Sequence, residues 1–238
     1  MYRDPRGGHN RSKINEKFFK NWSPNMAYLL GLIYADGTIK DVRISSRTCY
    51  IAVSSNDLDL LEQVRKVLSS THKIYTRKSR MVKFSDHKIY KCSTSYILRV
   101  GNKMIYQDLV NLGLTPRKSL KIQLPDVPVE YFNFFLRGYF DGDGCLSIFL
   151  QLGRMKPRIR ITFTSGSHTF LLQLVTNLGK LINTTKGTIS TKNRTSWLSY
   201  SKKDSIKILS YMYKNLNQAP YLERKYKKYL SIKFSTLN

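Results

Sequence analysis

Leu29-Leu30-Gly31-Leu32-Ile33-Tyr34-Ala35-Asp36-Gly37 returns in looser form as Leu136-Arg137-Gly138-Tyr139-Phe140-Asp141-Gly142-Asp143-Gly144. Each copy closes an apolar run that opens on a proline-bearing turn, at Ser23-Pro24 and at Leu124-Pro125 to Pro128, and each stops at Asp-Gly. The pattern predicts two helices with abrupt ends. Inside each, a pair of small residues four apart, Gly31 with Ala35 and Gly138 with Gly142, shares one helical face. Glycine inside a helix costs about 1 kcal/mol relative to alanine, so its placement needs a packing reason. Two helices meeting on these faces bring their backbones unusually close and deliver Asp36 and Asp143 to nearly one point. A carboxylate at a helix C-terminus faces the negative end of the dipole. Two of them together imply something positive between them, and their hard oxygen ligands suit a divalent cation. One Asp-Gly after an apolar helix is an ordinary turn signal; the recurrence carries the inference.

The chain has 238 residues, enough for one large domain or two small ones, and 41% of them are hydrophobic. Lys and Arg number 41 against 15 Asp and Glu, a net charge of +26 spread along the whole length. That excess implies a polyanionic partner. Nucleic acid is expected over a membrane, because no apolar run approaches the roughly 18 residues of a spanning helix and no basic helix shows a clean lipid-facing side. Cys49, Cys92 and Cys145 are odd in number and lack zinc or redox spacing, which predicts reduced core thiols and an intracellular setting. His9, His72, His87 and His168 are scattered, with no metal-binding pair among them. Residues 1–20 are polar and basic without an apolar stretch, so no secretory signal is expected. An organelle or a bacterial or archaeal cytoplasm are equally compatible locations.

The residues outside the motifs repeat as well. After a basic N-terminal arm (1–22), Thr38 to Ser46 and Tyr50 to Ser55 alternate as half-buried strands, and Asp57 to Leu68 has helical spacing with Asp57 at the N-cap position. Strands are predicted at Lys73 to Lys78 and Ser95 to Gly101, a basic loop between them, and a helix from Met104 to Leu112 ending at Gly113. The second half gives strands near Cys145 to Gln151 and Arg158 to Thr164, and a helix from His168 to Leu178 ending at Gly179. Strands near Lys186 to Lys192 and Trp197 to Lys202 and a helix over Ser205 to Leu216 complete it. Both halves thus read helix, strand, strand, helix, strand, strand, helix. Arg117-Lys118 and Arg224-Lys225 follow proline-containing turns. Lys118 lies 82 positions after Asp36 and Lys225 lies 82 after Asp143 (118 − 36 and 225 − 143), the mark of a duplicated unit.

The two motifs resemble those of the LAGLIDADG homing endonucleases in the form that carries both on one chain. The first copy matches the nine-letter pattern at seven positions, departing at Leu30 and Tyr34; the second matches at five, Leu136, Gly138, Asp141, Asp143 and Gly144. The resemblance implies an α+β fold of two tandem αββαββα half-domains (23–115 and 129–238, joined by a 116–128 linker). They would be related by a pseudo-two-fold axis, with antiparallel sheets forming a DNA-binding saddle. Gly31, Ala35, Gly138 and Gly142 would lie at the helix interface of a monomer. Asp36 and Asp143 would bind catalytic Mg²⁺ with the backbone carbonyls of Ala35 and Gly142. Lys118 and Lys225 would stabilise the scissile phosphate or tune the attacking water, or else grip the DNA backbone. The product would carry 3′ overhangs. Asp141 occupies the acidic sixth position of the motif, where the first copy has Tyr34, so this position is read as a cap or supporting group and not as a ligand.

A two-stranded ribbon fits the major groove, and Arg or Lys on it can address guanine edges. Lys40, Arg43, Arg47, Arg77 and Arg80 in the first half and Arg154, Arg158, Arg160, Lys192 and Arg194 in the second are the candidates, while Tyr75 and Trp197 are read as sheet packing. A site-specific double-strand DNA endonuclease is the first reading. An intron RNA maturase on the same fold, alone or with cleavage, and a non-cleaving DNA-binding regulator are the alternatives. Intein membership is not expected, since the chain opens on Met1 and ends Leu237-Asn238 without a preceding His.

Overall fold

The computed structural model describes residues 12–40, 49–83, 87–149 and 158–235, without the side chains of 233–235. In chain order the first half runs α1 (Pro24–Asp36), β1 (Gly37–Lys40), β2 (Tyr50–Ser55), α2 (Leu58–Val67), β3 (Ile74–Arg77), β4 (Arg80–Lys83), β5 (Ile89–Cys92), β6 (Ser95–Gly101) and α3 (Lys103–Asn111). The second runs α4 (Val129–Asp143), β7 (Gly144–Phe149), β8 (Arg158–Ser165), α5 (His168–Ile182), β9 (Thr188–Lys192), β10 (Thr195–Tyr200), α6 (Lys202–Met212) and α7 (Glu223–Ser235).

Ser23 starts α1 by accepting a 3.2 Å hydrogen bond from the Met26 N–H, and Pro24 fills the first helical turn, where a missing N–H costs nothing. α1 and α4 are the most extensively packed pair of elements among those described. Their glycines allow it. A Cβ on Gly31 would lie closer than 3.0 Å to the Phe135 carbonyl oxygen and 2.8 Å from the Tyr139 nitrogen; one on Gly138 would lie closer than 3.0 Å to the Tyr28 carbonyl oxygen. Backbone thus meets backbone across the interface. The remaining faces of both helices are buried from Met26 to Tyr34 and from Phe132 to Phe140, and apolar but for Asn133 and Arg137 on α4, so these helices are buried nearly all round.

Each motif helix feeds directly into the edge strand of an antiparallel sheet. The orders are β1-β2-β6-β3 and β7-β8-β10-β9, the same arrangement twice. Alternation sorts their side chains. Ile39, Ile51, Val53, Leu98 and Val100 face the helices in the first sheet, as do Leu146, Ile159, Ile161, Phe163 and Leu198 in the second. Each such buried side chain contributes about 1.5–3 kcal/mol relative to exposure. The opposite faces carry Lys40, Tyr50, Arg99, Tyr75 and Arg77, and Phe149, Arg158, Arg160, Trp197 and Lys192, by the paired registers.

Several local expectations are corrected. The stretch between β3 and β6, expected as a loop, forms a two-stranded ribbon, β4 with β5, whose Met81 and Ile89 are exposed. α5 passes through Gly179 and ends at Asn183, which takes the left-handed conformation (φ 52°) and donates its N–H to the Gly179 carbonyl. α6 starts at Lys202 and stops at Met212, with Leu216–Gln218 a separate turn of 3₁₀ helix. α7 was not anticipated, because its Lys and Arg content masks Tyr226, Tyr229 and Ile232; Tyr213 stacks against Tyr229 with 5.1 Å between ring centroids. Asp57 holds the N-cap position of α2 without capping it. Its N–H is taken by the Ser55 hydroxyl, and its carboxylate instead accepts from Arg224. The described end of the N-terminal arm is pinned to the first half, by Asn15 N–H to the Leu68 carbonyl, by Lys20 to Asp108 and by a buried Phe19. Of the cysteines only Cys49 is buried; Cys92 is half-buried and Cys145 exposed.

Gly31→Ala and Gly138→Ala should each destabilise the protein by about 1–3 kcal/mol, the cost of overpacking, lowering Tm by about 2–4 °C per kcal/mol. Gly179→Ala is the control: its Cβ would have a nearest neighbour at 3.8 Å, so the gain in helix propensity should raise Tm slightly. Thermal melts of the three variants check this.

Candidate active site

α1 and α4 end at Asp36 and Asp143, and β1 and β7 begin at the next residue. The two carboxylates therefore stand where the helix interface opens onto the inner edges of both sheets. The helix ends touch: a Cβ on Gly142 would lie 3.1 Å from Asp36 Oδ2. Glycine there leaves room for the opposing carboxylate.

Lys118 and Lys225 come in from the segments that follow α3 and α6, and both are buried. Lys118 Nζ donates to the carbonyl of Tyr34 and, at 2.9 Å, to that of Ala35. Lys225 Nζ donates to the carbonyls of Phe140, of Asp141 at 3.0 Å and of Gly144 at 2.6 Å. An ammonium group has three donors, so Lys225 is fully engaged by the backbone and Lys118 is engaged twice. Each lysine thus neutralises the negative end of one motif helix. The Ala35 carbonyl, expected as a metal ligand, is here an acceptor for Lys118.

The four groups sense one another. Burial first and then the Asp36 charge, opposed by Lys118 and Lys225, raise Asp143 to about 6. Burial also raises Asp36, the more open of the two, with Lys225 and then Lys118 opposing. Both lysines lie at about 8, lowered by burial; Asp143 and then Asp36 oppose the shift at Lys118, and Asp141 does most to oppose it at Lys225. Two buried carboxylates, one of them raised in part by the charge of the other, are suited to a shared cation of hard character. No cluster of three or more His, Cys, Asp or Glu occurs among the described residues. The donor set from side chains is therefore Asp36 and Asp143, and further oxygens would have to come from backbone, water or substrate.

The open sheet faces flank this point. Lys40, Arg77, Arg80, Arg158, Arg160, Lys192 and Arg194 are exposed, with Lys40 5.8 Å from the Tyr50 ring centre and Arg160 5.5 Å from that of Phe149. Arg80 lies on the β4–β5 ribbon. Arg43, Arg47 and Arg154 fall outside the described residues. Tyr75 is 56% exposed on the open face instead of packed, and half-buried Trp197 lies on the corresponding face of the second sheet. Arg99 was missed. It projects from the same face 4.7 Å from the Tyr50 ring centre, and the alternation Leu98, Arg99, Val100 was its signal. Among the described residues no helix is long and apolar enough to cross a membrane.

A family model described as LAGLIDADG endonuclease matches residues 136–234, and one described as LAGLIDADG-like domain matches residues 23–110. The reverse gyrase of Methanocaldococcus jannaschii is 26% identical over 153 residues, which span 64% of this chain and 7% of that protein. The homing endonuclease I-GzeII in complex with its DNA target is similar with a TM-score of 0.58 at 12% identity, over 89% of this chain and 90% of that one. I-WcaI bound to its DNA recognition sequence gives 0.54 at 15% identity over 84% of each chain. I-SmaMI bound to uncleaved DNA with calcium ions gives 0.50 at 12% identity over 81% and 85%. At these identities the structural likeness establishes the fold.

The raised Asp143 has a consequence for stability. Its folded pKa of about 6 exceeds the ordinary aspartate value of 3.8, so its contribution to stability is present below about pH 3.8 and lost as pH rises through 6. In metal-free buffer Asp143→Asn should therefore raise Tm at pH 8, with the difference shrinking between pH 6 and 4. Melts across that range in EDTA test it.

Proposed function

Because the chain belongs to the LAGLIDADG endonuclease family, we propose that it cuts both strands of duplex DNA at one long site, as a monomer that uses Mg²⁺ and leaves 3′ overhangs. The observation that carries this reading is the convergence of two carboxylates and two buried lysines at the ends of α1 and α4. A protein that only bound DNA would gain nothing by aiming two carboxylates at phosphate. The DNA-bound state of the similar structures I-GzeII and I-WcaI supports duplex DNA as the partner.

Uncatalysed phosphodiester hydrolysis is very slow, so the site has to position a water, ease its deprotonation and offset charge on the phosphate. Asp36 and Asp143 supply oxygens that would hold divalent ions. Such ions, when bound, polarise the phosphate and acidify water. Lys225 has all three donors on backbone carbonyls, so it acts as a fixed positive charge beside the developing anion. Lys118 keeps one donor direction for a phosphate oxygen or a water. The Asp36 charge, together with Asp143 at Lys118 and with Asp141 above all at Lys225, keeps both ammonium groups protonated more than burial alone would. Arg99 joins Lys40, Arg77, Arg158, Arg160 and Lys192 as the groups that seat the duplex on the two open faces, phosphate contacts fixing register and base contacts selecting sequence.

Asp36→Asn and Asp143→Asn should each abolish cleavage of the selected site while leaving salt-sensitive DNA binding near its original strength. The site is first found by digesting a randomised duplex library with Mg²⁺ and sequencing the ends, with Ca²⁺ and EDTA arms that should give no product. Lys192→Ala should reduce the slope of log K against log salt by about one unit. A protein that cuts no site but binds folded intron RNA would replace the endonuclease reading with the maturase one.

A further inference from the structure

The first motif copy departs from its pattern at Leu30 and Tyr34, and the positions 107 residues later are Arg137 and Asp141. Both charged residues are buried on α4, Arg137 at 0% exposure and Asp141 at 4%. Burying charge is expensive unless the geometry uses it, and Leu30 shows that the fold accepts an apolar residue at the equivalent place. Neither charge is therefore demanded by core packing.

All but one of their hydrogen bonds go to one segment, residues 212–222. Arg137 donates to the carbonyls of Met212 at 3.3 Å, Leu216 at 3.4 Å and Ala219 at 2.9 Å. Asp141 Oδ2 accepts from the Leu222 N–H at 2.8 Å and from the Tyr28 hydroxyl, on α1, at 2.9 Å. Leu222 in turn accepts from the Lys225 N–H at 3.0 Å, in the first turn of α7. Lys225 then reaches back to the carbonyls of Phe140 and Asp141. The Asp141 side chain, Leu222, Lys225 and the end of α4 thus close a ring. In the first half the corresponding link is a single bond: the Tyr34 hydroxyl donates to the Leu112 carbonyl at 2.7 Å, six residues before Lys118. Lys118 then reaches back to the Tyr34 and Ala35 carbonyls.

We propose that Asp141, with Arg137 behind it, is a positioning residue for Lys225, and that Tyr34 is the positioning residue for Lys118, so that the seat of each lysine is set separately. The cutting of one strand then depends on an acceptor carboxylate that also holds Tyr28 of the other half; the cutting of the other depends on a donor hydroxyl. This rests on the proposed endonuclease activity.

The test is strand-resolved cleavage of a duplex labelled on each strand, for Asp141→Asn and Tyr34→Phe, with melts alongside. Displacing a catalytic group by an ångström costs up to about a hundredfold. Asp141→Asn should slow one strand by about tenfold or more relative to the other, and Tyr34→Phe should bias cutting in the opposite sense. Tyr28→Phe, which removes one hydroxyl, should show the Asp141→Asn bias to a smaller degree, and serves if Asp141→Asn does not fold. Equal slowing of both strands, or one bias shared by all variants, overturns the proposal, because a loss of stability alone has no strand preference. Amide hydrogen exchange gives a readout independent of DNA. Residues 222–226 should lose protection in Asp141→Asn and keep it in Tyr34→Phe, and unchanged protection overturns the tether. A wild-type protein that cuts neither strand refutes the endonuclease reading instead, and exchange still decides the tether.

Discussion

The contact between the backbones of α1 and α4 at Gly31 and Gly138 constrains everything around it. With no Cβ on either side, carbonyl oxygens of one helix occupy the space where side chains of the other would stand. Such an interface has no slack, since close-packed backbone cannot shift by a rotamer change. The C-termini of the two helices are consequently fixed against each other, and the strands that begin at Gly37 and Gly144 inherit that placement. The first strand of each sheet is continuous with a helix that cannot part from its partner.

The same constraint creates an electrostatic conflict. Two carboxylates are brought to the negative ends of two helices, and two lysines are drawn out of water to answer them. None of the four is at ease: burial pushes the acids up and the bases down, and each offsets only part of the other's cost. Sites with this character are held by the surrounding fold and not by their own stability. The apolar core beneath, filled by Phe135, Phe140, Phe163 and Phe170, is what offsets the conflict.

Much of this was legible in the sequence because it is periodic or repeated. The motif copies, the alternation of β2 and β8, and the equal spacing of Lys118 and Lys225 from their aspartates are local or arithmetic signals. Features that depend on distant partners were not. Asp141 meets Leu222 across 81 residues and Tyr28 across 113, and nothing in the motif names those partners. The β4–β5 ribbon escaped because its strands carry mixed polar and apolar residues on both faces, so alternation has no buried side to report. Gly179 misled for a related reason: a glycine signals a helix end only when the backbone turns there, and the turn falls at Asn183. α7 was hidden by charge, since a helix that buries tyrosines between lysines does not look amphipathic on a hydropathy scale.

The linker after α3 adds a last point. Ser119 lies with its carbonyl against Gly166, Ile122 accepts from the Ser167 hydroxyl, and Leu124 donates to Gln173, all in the second half. The segment carrying Lys118 is therefore built onto the half it does not belong to by sequence, just as Arg224 beside Lys225 reaches Asp57 of the first. Neither half owns a whole centre. A dimer of identical halves would have to place the same residues at both ends of its axis, burying two copies of every charge; covalent fusion lifts that obligation. Leu30 where the second copy has Arg137, and Tyr34 where it has Asp141, mark two halves that have specialised against each other.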